Sequence, residues 1–513
     1  MLKNRQLNAL FRLTMVALAI IMQLAVLALL VFRLREQLLV LFVLLEVLSL
    51  VEVLLLIDDQ VAGPYKIAWT ILILLLPVFG WMLYLLWGKA GTNGRKSRRL
   101  REMIRQTRHY TGNPHSKETI EQFEQDKPDR SRIMHYLCSE GFALYQNTGC
   151  RYYSLGDDLF PDLLDDLRAA QRFIFIEFFI VSHGHLWQDI WSILCEKARQ
   201  GIEIHFMYDD MGSLLKLPSE LDQLQNTPEN IQIRAFNPVH QHIARFYLNF
   251  RNHRKTVIID GDIAYTGGIN LADEYANLIQ RFGHWKDSGI RMTGEAVWGL
   301  TLSFLQIWTA ESPDNPGDWD RYRPQHPAAG QGFYQPFFDG PMNNPRNPAE
   351  EMYSQIIQQA TRYVYIMTPY LILDDVMISS LCTAARSGID VRIITPAVGD
   401  RHFVHLVTRS NYGPLLRDGV RIFEYSPGFI HAKTILSDDD HAVTGTINMD
   451  FRSFHLHFES GVWICDAPVL QAMRRDFDQT LAECREISMA QWNGRSLGLR
   501  ILQTFLRLFS PLL

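Results

Sequence analysis

The chain has 513 residues, enough for two or three domains. Its net charge of -5 argues against a nucleic-acid binder. Its six cysteines contain no C-x-x-C pair, which argues against zinc and a disulfide framework and fits a reducing compartment.

The N-terminal region is apolar. After a short basic stretch with Lys3, Arg5 and Arg12, Leu13 to Phe32 has a single strongly polar residue, Gln23, and is long enough to span a bilayer as an uncleaved helix. Leu38 to Ile57 is a second predicted span, interrupted by Glu46 and Glu52, acids that should face protein rather than lipid. Ile67 to Trp87 is the third, with Pro77 and Gly80 inside it and Trp69, Trp81, Tyr84 and Trp87 toward its ends. A basic block from Lys89 to Arg105 follows. The positive-inside rule places it and the rest of the chain in the cytoplasm. The expected organisation is a transmembrane region over 1–94, a basic segment and linker over 95–155, and two halves over 156–325 and 326–513, divided within the Pro- and Gly-rich stretch from Pro316 to Asn347.

The two halves repeat. Phe160 to Ala170 predicts a helix and Arg172 to Ile180 a buried strand; near Glu350 to Ala360 and at Arg362 to Tyr370 the same order recurs. Leu194 to Phe206 matches Leu381 to Ile393, each a helix closed by glycine and then a core strand. Ile231 to Phe236 matches Val420 to Tyr425. Continuous apolar strands alternating with helices predict an α/β fold with sheets covered on both faces.

Each half then carries one polar signature. The first is His253, Lys255 and Asp260, followed by Gly267, Gly268 and Asn270; the second is His431, Lys433 and Asp438, followed by Gly445, Thr446 and Asn448. In both, the Lys stands two after the His, the Asp seven after and the Asn seventeen after. Strand alternation puts His and Lys on one side and the Asp on the other. An ammonium beside an imidazole suits phosphate chemistry: one holds anionic oxygens, the other attacks or moves a proton. Two copies make two unrelated surface hairpins an improbable explanation. The Asp residues read as structural partners at a turn.

This duplicated H-x-K-x4-D pattern resembles the phospholipase D superfamily, which implies phosphodiester transfer through a phosphohistidine, with no cofactor and no metal. The resemblance is nearest to bacterial cardiolipin synthases. It rests on Tyr65 to Trp69, Leu75 to Gly80, Asn448 to Ser453 with Glu459, and Phe509 to Leu513. It implies two tandem phospholipase D-like halves forming one bilobed catalytic domain behind the membrane helices. His253, Lys255, Asp260, His431, Lys433 and Asp438 would be the catalytic set. Asn270, Asn448 and Thr446 would bind phosphate, with Asp287 and Glu459 as orienting acids. His457 departs from the Asn expected there. The other histidines, His240, His242, His402, His405 and His455, follow no zinc template. The implied reaction moves a phosphatidyl group from one phosphatidylglycerol to another in a bacterial cell membrane, so the implied partners are anionic lipids and the bilayer. A phospholipase D hydrolysing to phosphatidic acid and a phosphatidylserine synthase are the alternatives.

The C-terminal tail predicts one more helix. Leu497, Ile501, Phe505, Leu508 and Phe509 fall on one stripe, with Arg500 and Arg507 opposite. That stripe suits either packing on the catalytic domain or an interfacial position against the bilayer.

Overall fold

The computed structural model describes residues 21, 25, 37–59, 63–88, 95–111, 116–214, 216–223, 228–238, 250–311, 317–326, 328–343 and 346–512. The expected helix over 13–32 falls outside these apart from positions 21 and 25, as do His240 and His242.

The β-branched and aromatic runs of the two halves form two sheets. In the first half the strands are β1 (Thr148–Tyr153), β2 (Phe173–Phe178), β3 (Glu203–Asp209), β4 (Ile231–Phe236), β5 (Thr256–Ile259), β6 (Ile263–Gly267) and β7 (Gly289–Gly294). Their spatial order is β1-β7-β6-β5-β2-β3-β4. In the second half β8 (Phe333–Asp339), β9 (Tyr363–Met367), β10 (Asp390–Pro396), β11 (Arg421–Tyr425), β12 (Thr434–Ser437), β13 (His441–Gly445), β14 (His457–Cys465) and β15 (Cys484–Glu486) follow the order β8-β14-β13-β12-β9-β10-β11-β15. Leaving aside β15, the two orders are the same, so the repeat seen in sequence is a repeat of topology. β2, β3 and β4 run parallel, as do β9, β10 and β11, while the motif strands β5 and β12 join them antiparallel. Every residue of β2, β5, β9 and β12 is buried, as strands covered on both faces require.

Of the described predicted spans, the second forms one helix over Gln37–Asp58 and the third does not. Among the described residues no helix is long and apolar enough to cross a membrane. The run Ile67 to Trp87 is not one helix but two: α2 (Gly63–Leu75) and α3 (Pro77–Leu83), broken at Leu76. Pro77 starts the second limb, which continues as a π-helical turn over Tyr84–Gly88. The limbs fold back on each other. The Tyr65 hydroxyl donates to the Gly88 carbonyl at 2.7 Å, and Trp69 meets Tyr84 edge-on at 5.3 Å. Gly80 makes the close approach possible, since a Cβ there would lie 2.2 Å from the Leu72 carbonyl oxygen. Thirteen residues of α2 rise only about 20 Å, short of the roughly 30 Å hydrocarbon core. The first helix, α1 (Gln37–Asp58), lies beside this hairpin; its Ser49 hydroxyl donates to the Pro77 carbonyl at the tip, 3.3 Å away. Ser49, Val53 and Leu56 are buried against it, and Glu46 and Glu52 are half-buried, while Val47, Leu48, Leu54 and Leu55 are exposed. The acids thus lie toward the hairpin side of α1 rather than on its exposed apolar face.

The described residues of the expected linker within 95–155 are built into the catalytic domain. After the basic α4 (Arg95–Gln106), α5 (Ser116–Asp126) and α6 (Ser131–Ser139) place Phe123, Ile133, Met134 and Leu137 in the second half's core with Phe333 and Ile356. β1 closes the first sheet against β7. Only one face of α5 and α6 is apolar, which is why the composition reads as polar. Between the halves runs α7 (Val297–Ala310), buried from Trp298 through Trp308 except at Gly299.

The tail forms α8 (Leu497–Leu508), started by the Ser496 hydroxyl, which accepts from the Leu499 amide. Its one buried residue is Gln503, which donates to the Leu406 carbonyl. Leu497 is 70% exposed, Ile501 61% and Phe505 58%, so the apolar stripe faces away from the catalytic domain. The next turn, Ser510–Leu512, packs on α2 of the hairpin.

Candidate active site

The two motif strands present their histidines where the halves meet. The backbone around each His is held by the other half. Arg251–Asn252, just before His253, pairs in parallel with His457–Phe458, and the His253 amide donates to the Phe458 carbonyl at 2.9 Å. Gly428–Ile430, just before His431, pairs with His284–Lys286, and the His431 amide donates to the Lys286 carbonyl at 2.7 Å. One residue further on in each partner stands an acid.

The acids therefore cross. Glu459 of the second half bonds His253 Nδ1 through both oxygens, at 2.9 and 3.0 Å. Asp287 of the first half bonds His431 Nδ1 at 2.6 Å. Sequence order places each acid behind its own half's motif; the fold gives it to the opposite His. A carboxylate on Nδ1 favours the proton there and leaves Nε2 as the reacting nitrogen; at His431, Lys433 Nζ also lies 2.7 Å from Nδ1. Glu459 is itself fixed by the Thr446 and Ser453 hydroxyls, the latter at 2.7 Å. Asp287 accepts from the Ser288 amide at 2.8 Å, and Gly268 makes room for it: a Cβ there would meet its Oδ1 at 2.0 Å. Gly268 and Thr446 occupy the same place in the repeat and serve the two acids in opposite ways, one by yielding space and one by donating a hydrogen bond.

Both histidines, both lysines and both acids are buried. Burial, then the charge of Lys255, pushes the His253 pKa well below its ordinary value. Burial and Lys433 lower that of His431 to about 4, against the opposing pull of Asp287. Burial also lowers Lys255 to about 7 and Lys433 to about 8, with Glu459 and Asp287 respectively the largest opposing influences. Two buried ammonium groups facing neutral imidazoles form a site that gains by taking in an anion.

The remaining expected residues divide. Asp260 and Asp438 sit outside the cleft, both in left-handed turns at φ +57° and +56°. Asp260 accepts the amides of Gln171, Arg172 and Phe173 at 2.8, 2.7 and 3.0 Å, and Asp438 those of Thr361, Arg362 and Tyr363 at 2.8, 2.8 and 3.0 Å. They pin the starts of β2 and β9 to the motif hairpins and touch no reacting group, as strand parity requires. Asn270, expected to bind phosphate, instead ties the Ile180 amide at 3.0 Å to the Tyr275 hydroxyl at 2.7 Å. Thr446 donates to Glu459. Asn448 is buried with Oδ1 unpartnered.

Tyr275 and Phe179 lie here without having been singled out, beside Ser453 and His457. Tyr275 and Ser453 both stand five residues after the motif Asn, an offset the repeat contained. The Tyr275 ring lies 5.5 Å from that of His431, and Phe179 meets His253 edge-on at 4.9 Å. His457 lies 5.4 Å from His253, accepts from Arg452 Nε at 3.2 Å, and is held neutral by burial, its pKa lowered to about 3. His253, His457 and Glu459 bring three ligand-type atoms within 4.8 Å of one another. The Glu459 oxygens, however, already accept from Thr446, Ser453 and His253, the bonding of an orienting carboxylate.

A family model described as "Cardiolipin synthase, PLD-like domain" matches residues 163–280 and 353–481, and one described as "Phospholipase_D-nuclease N-terminal" matches 39–89. The cardiolipin synthase 2 of Bacillus anthracis is 34% identical over 453 residues, 87% of this chain and 86% of its own length. The chain belongs to the cardiolipin synthase family. A cardiolipin synthase of Oceanobacillus iheyensis is 32% identical over 459 residues, covering 87% of this chain and 93% of the relative. Among solved structures, a phosphatidylserine synthase from Haemophilus influenzae Rd KW20 shares the fold at a TM-score of 0.56 and 14% identity, over 72% of this chain and 94% of its own. The family model's two matched segments fall one in each half, and each holds one motif His: 253 lies in 163–280 and 431 in 353–481.

Proposed function

We propose that the chain is a phosphatidyltransferase that makes cardiolipin and glycerol from two molecules of phosphatidylglycerol. The observation that carries this is the crossed pair of imidazole–carboxylate couples, His253–Glu459 and His431–Asp287, with a buried lysine beside each. The donor's phosphodiester enters between Lys255 and Lys433, which restore their charge against it. His253 Nε2 attacks phosphorus and the bond to the headgroup glycerol breaks. Binding of the phosphodiester anion, backed by Asp287, lets His431 take up a solvent proton on Nε2, and it gives that proton to the departing oxygen. The headgroup hydroxyl of a second phosphatidylglycerol then attacks, its proton passes to His431, and the phosphorus–nitrogen bond breaks to release cardiolipin. His253 fits the nucleophile because burial and Lys255 keep it neutral, while Asp287 favours the charged form of His431.

The same reading supplies roles for the ends of the chain. The Tyr65 ring of the hairpin stacks flat on Phe451, 5.8 Å away and 4° from parallel, and Phe451 precedes Arg452 at His457. A membrane-embedded hairpin docked there would set the cleft at the bilayer surface, with the catalytic domain on the cytoplasmic side. The exposed stripe of α8, joined to α2 through Ser510–Leu512, would lie in the same interface.

Expression in a host that lacks cardiolipin tests the reading. Thin-layer chromatography should show cardiolipin appearing with the wild-type chain and absent with His431→Ala. Phosphatidic acid or phosphatidylserine accumulating in its place would overturn it.

A further inference from the structure

The domain contains a second concavity that shares no residue with the His–Lys cleft. A cavity of about 360 Å³ lies between α4 and α7, floored by β8. That volume is within the usual range for small-ligand sites. Arg101, Arg105, Arg108 and Arg346 line it, against a single carboxylate, Glu140. Arg105 is bonded to Glu102 at 2.7 Å and Arg346 lies 3.6 Å from Glu140; both arginines are exposed, and such exposed pairs yield readily to a ligand anion. Beneath the arginines the lining turns apolar, with Ile104, Phe142, Leu302 and Phe338.

One polar group in the lining is incomplete. Gln306 is 1% exposed, and its Nε2 donates to the Thr107 hydroxyl at 3.0 Å. Its Oε1 is buried without a partner, an arrangement that costs free energy until a donor arrives. Guanidinium groups ask for a phosphodiester and the orphaned carbonyl asks for a hydroxyl. In sequence, α4 begins seven residues after the hairpin ends at Gly88.

We infer that this cavity binds the phosphoglycerol headgroup of an anionic phospholipid, phosphate on the arginines and hydroxyl on Gln306 Oε1, at a site that takes no part in the transfer. The inference goes beyond the proposed reaction: lipid bound here would make docking and turnover depend on the anionic content of the bilayer as well as on substrate supply. Soluble glycerol phosphate has the same chemistry, and the experiment separates the two.

The full chain in phosphatidylcholine nanodiscs is irradiated with a trace of phosphatidylglycerol carrying a photoactivatable group, and labelled peptides are read by mass spectrometry. Label is expected in peptides covering 101–111 and 299–306. In the triple variant Arg105→Gln, Arg108→Gln, Arg346→Gln that label should fall roughly tenfold, the effect of losing charge-assisted hydrogen bonds. Label around His253 should persist, which also reports that the variant is folded. Gln306→Leu should lower labelling by phosphatidylglycerol but not by a photoactivatable phosphatidic acid, which has no headgroup hydroxyl. His431→Ala should leave the cavity's label intact, so a failure of the transfer chemistry cannot be mistaken for a failure here. Undiminished label in the triple variant, or equal label with photoactivatable phosphatidylcholine, would overturn the inference. Complete displacement by soluble glycerol phosphate would make the ligand a free phosphate ester and overturn the lipid assignment.

Discussion

At the scale of single residues, the two histidines are alike in chemistry and different in surroundings. Removing either should stop transfer. His253→Ala and His431→Ala are each expected to raise the barrier by on the order of several kcal/mol without unfolding the chain, read as cardiolipin formed by the purified variants with circular dichroism as control. Near-wild-type turnover in either would contradict a two-histidine mechanism. The lysines set a pH dependence. The reaction needs them charged, and in the free protein burial brings Lys255 to about 7 and Lys433 to about 8. A lowered lysine pKa means that charge is complete below the shifted value and lost as pH rises through it. Thus kcat/KM should decline as pH rises through 7 to 8. The alkaline limb of kcat should lie higher, because bound phosphodiester favours the charged lysines. Profiles in mixed micelles measure both; a kcat/KM flat up to the ordinary lysine range would show that the lysines are not so perturbed.

At the scale of elements, the sequence was informative wherever one segment decided its own structure. The strands from Phe173 and Tyr363, the glycine-closed helices before β3 and β10, and the parity that turned Asp260 and Asp438 away from their histidines all followed from local pattern. The hairpin did not. Hydropathy over 67–87 records that the residues are apolar, and a straight span and a folded-back pair look the same by that measure. The decisive contacts, Tyr65 with Gly88 and Gly80 with Leu72, join residues whose pairing no periodicity announces. For α8 the apolar stripe was legible and its direction was not, since packing and bilayer contact call for the same pattern. With the stripe exposed, Phe505→Asp combined with Phe509→Asp should leave the chain membrane-bound. It should reduce turnover on bilayer phosphatidylglycerol more than on a short-chain soluble analogue. Equal losses on both, with lowered thermal stability, would make the tail a part of the fold only.

At the scale of the whole molecule, the crossing of the acids makes the two halves one unit. His253 and Glu459 are 206 residues apart, and His431 and Asp287 are 144 apart. That is why the acids could be found in the sequence and their partners could not. The linker reading within 95–155 failed for a related reason: a segment with one apolar face looks polar until the surface that covers the face is known. A double-mutant cycle by thermal unfolding should find Glu459→Gln coupled to His253→Gln by about 1–3 kcal/mol and additive with His431→Gln. The reverse coupling would put the acids back in their own halves. The most direct test of the account is the stoichiometry of the reaction itself. Purified chain is given phosphatidylglycerol alone in bilayers, and lipid and water-soluble products are quantified together. The account predicts one cardiolipin and one glycerol for every two phosphatidylglycerols consumed; glycerol released with an equal amount of phosphatidic acid, or no turnover until a CDP-activated donor is supplied, would contradict it.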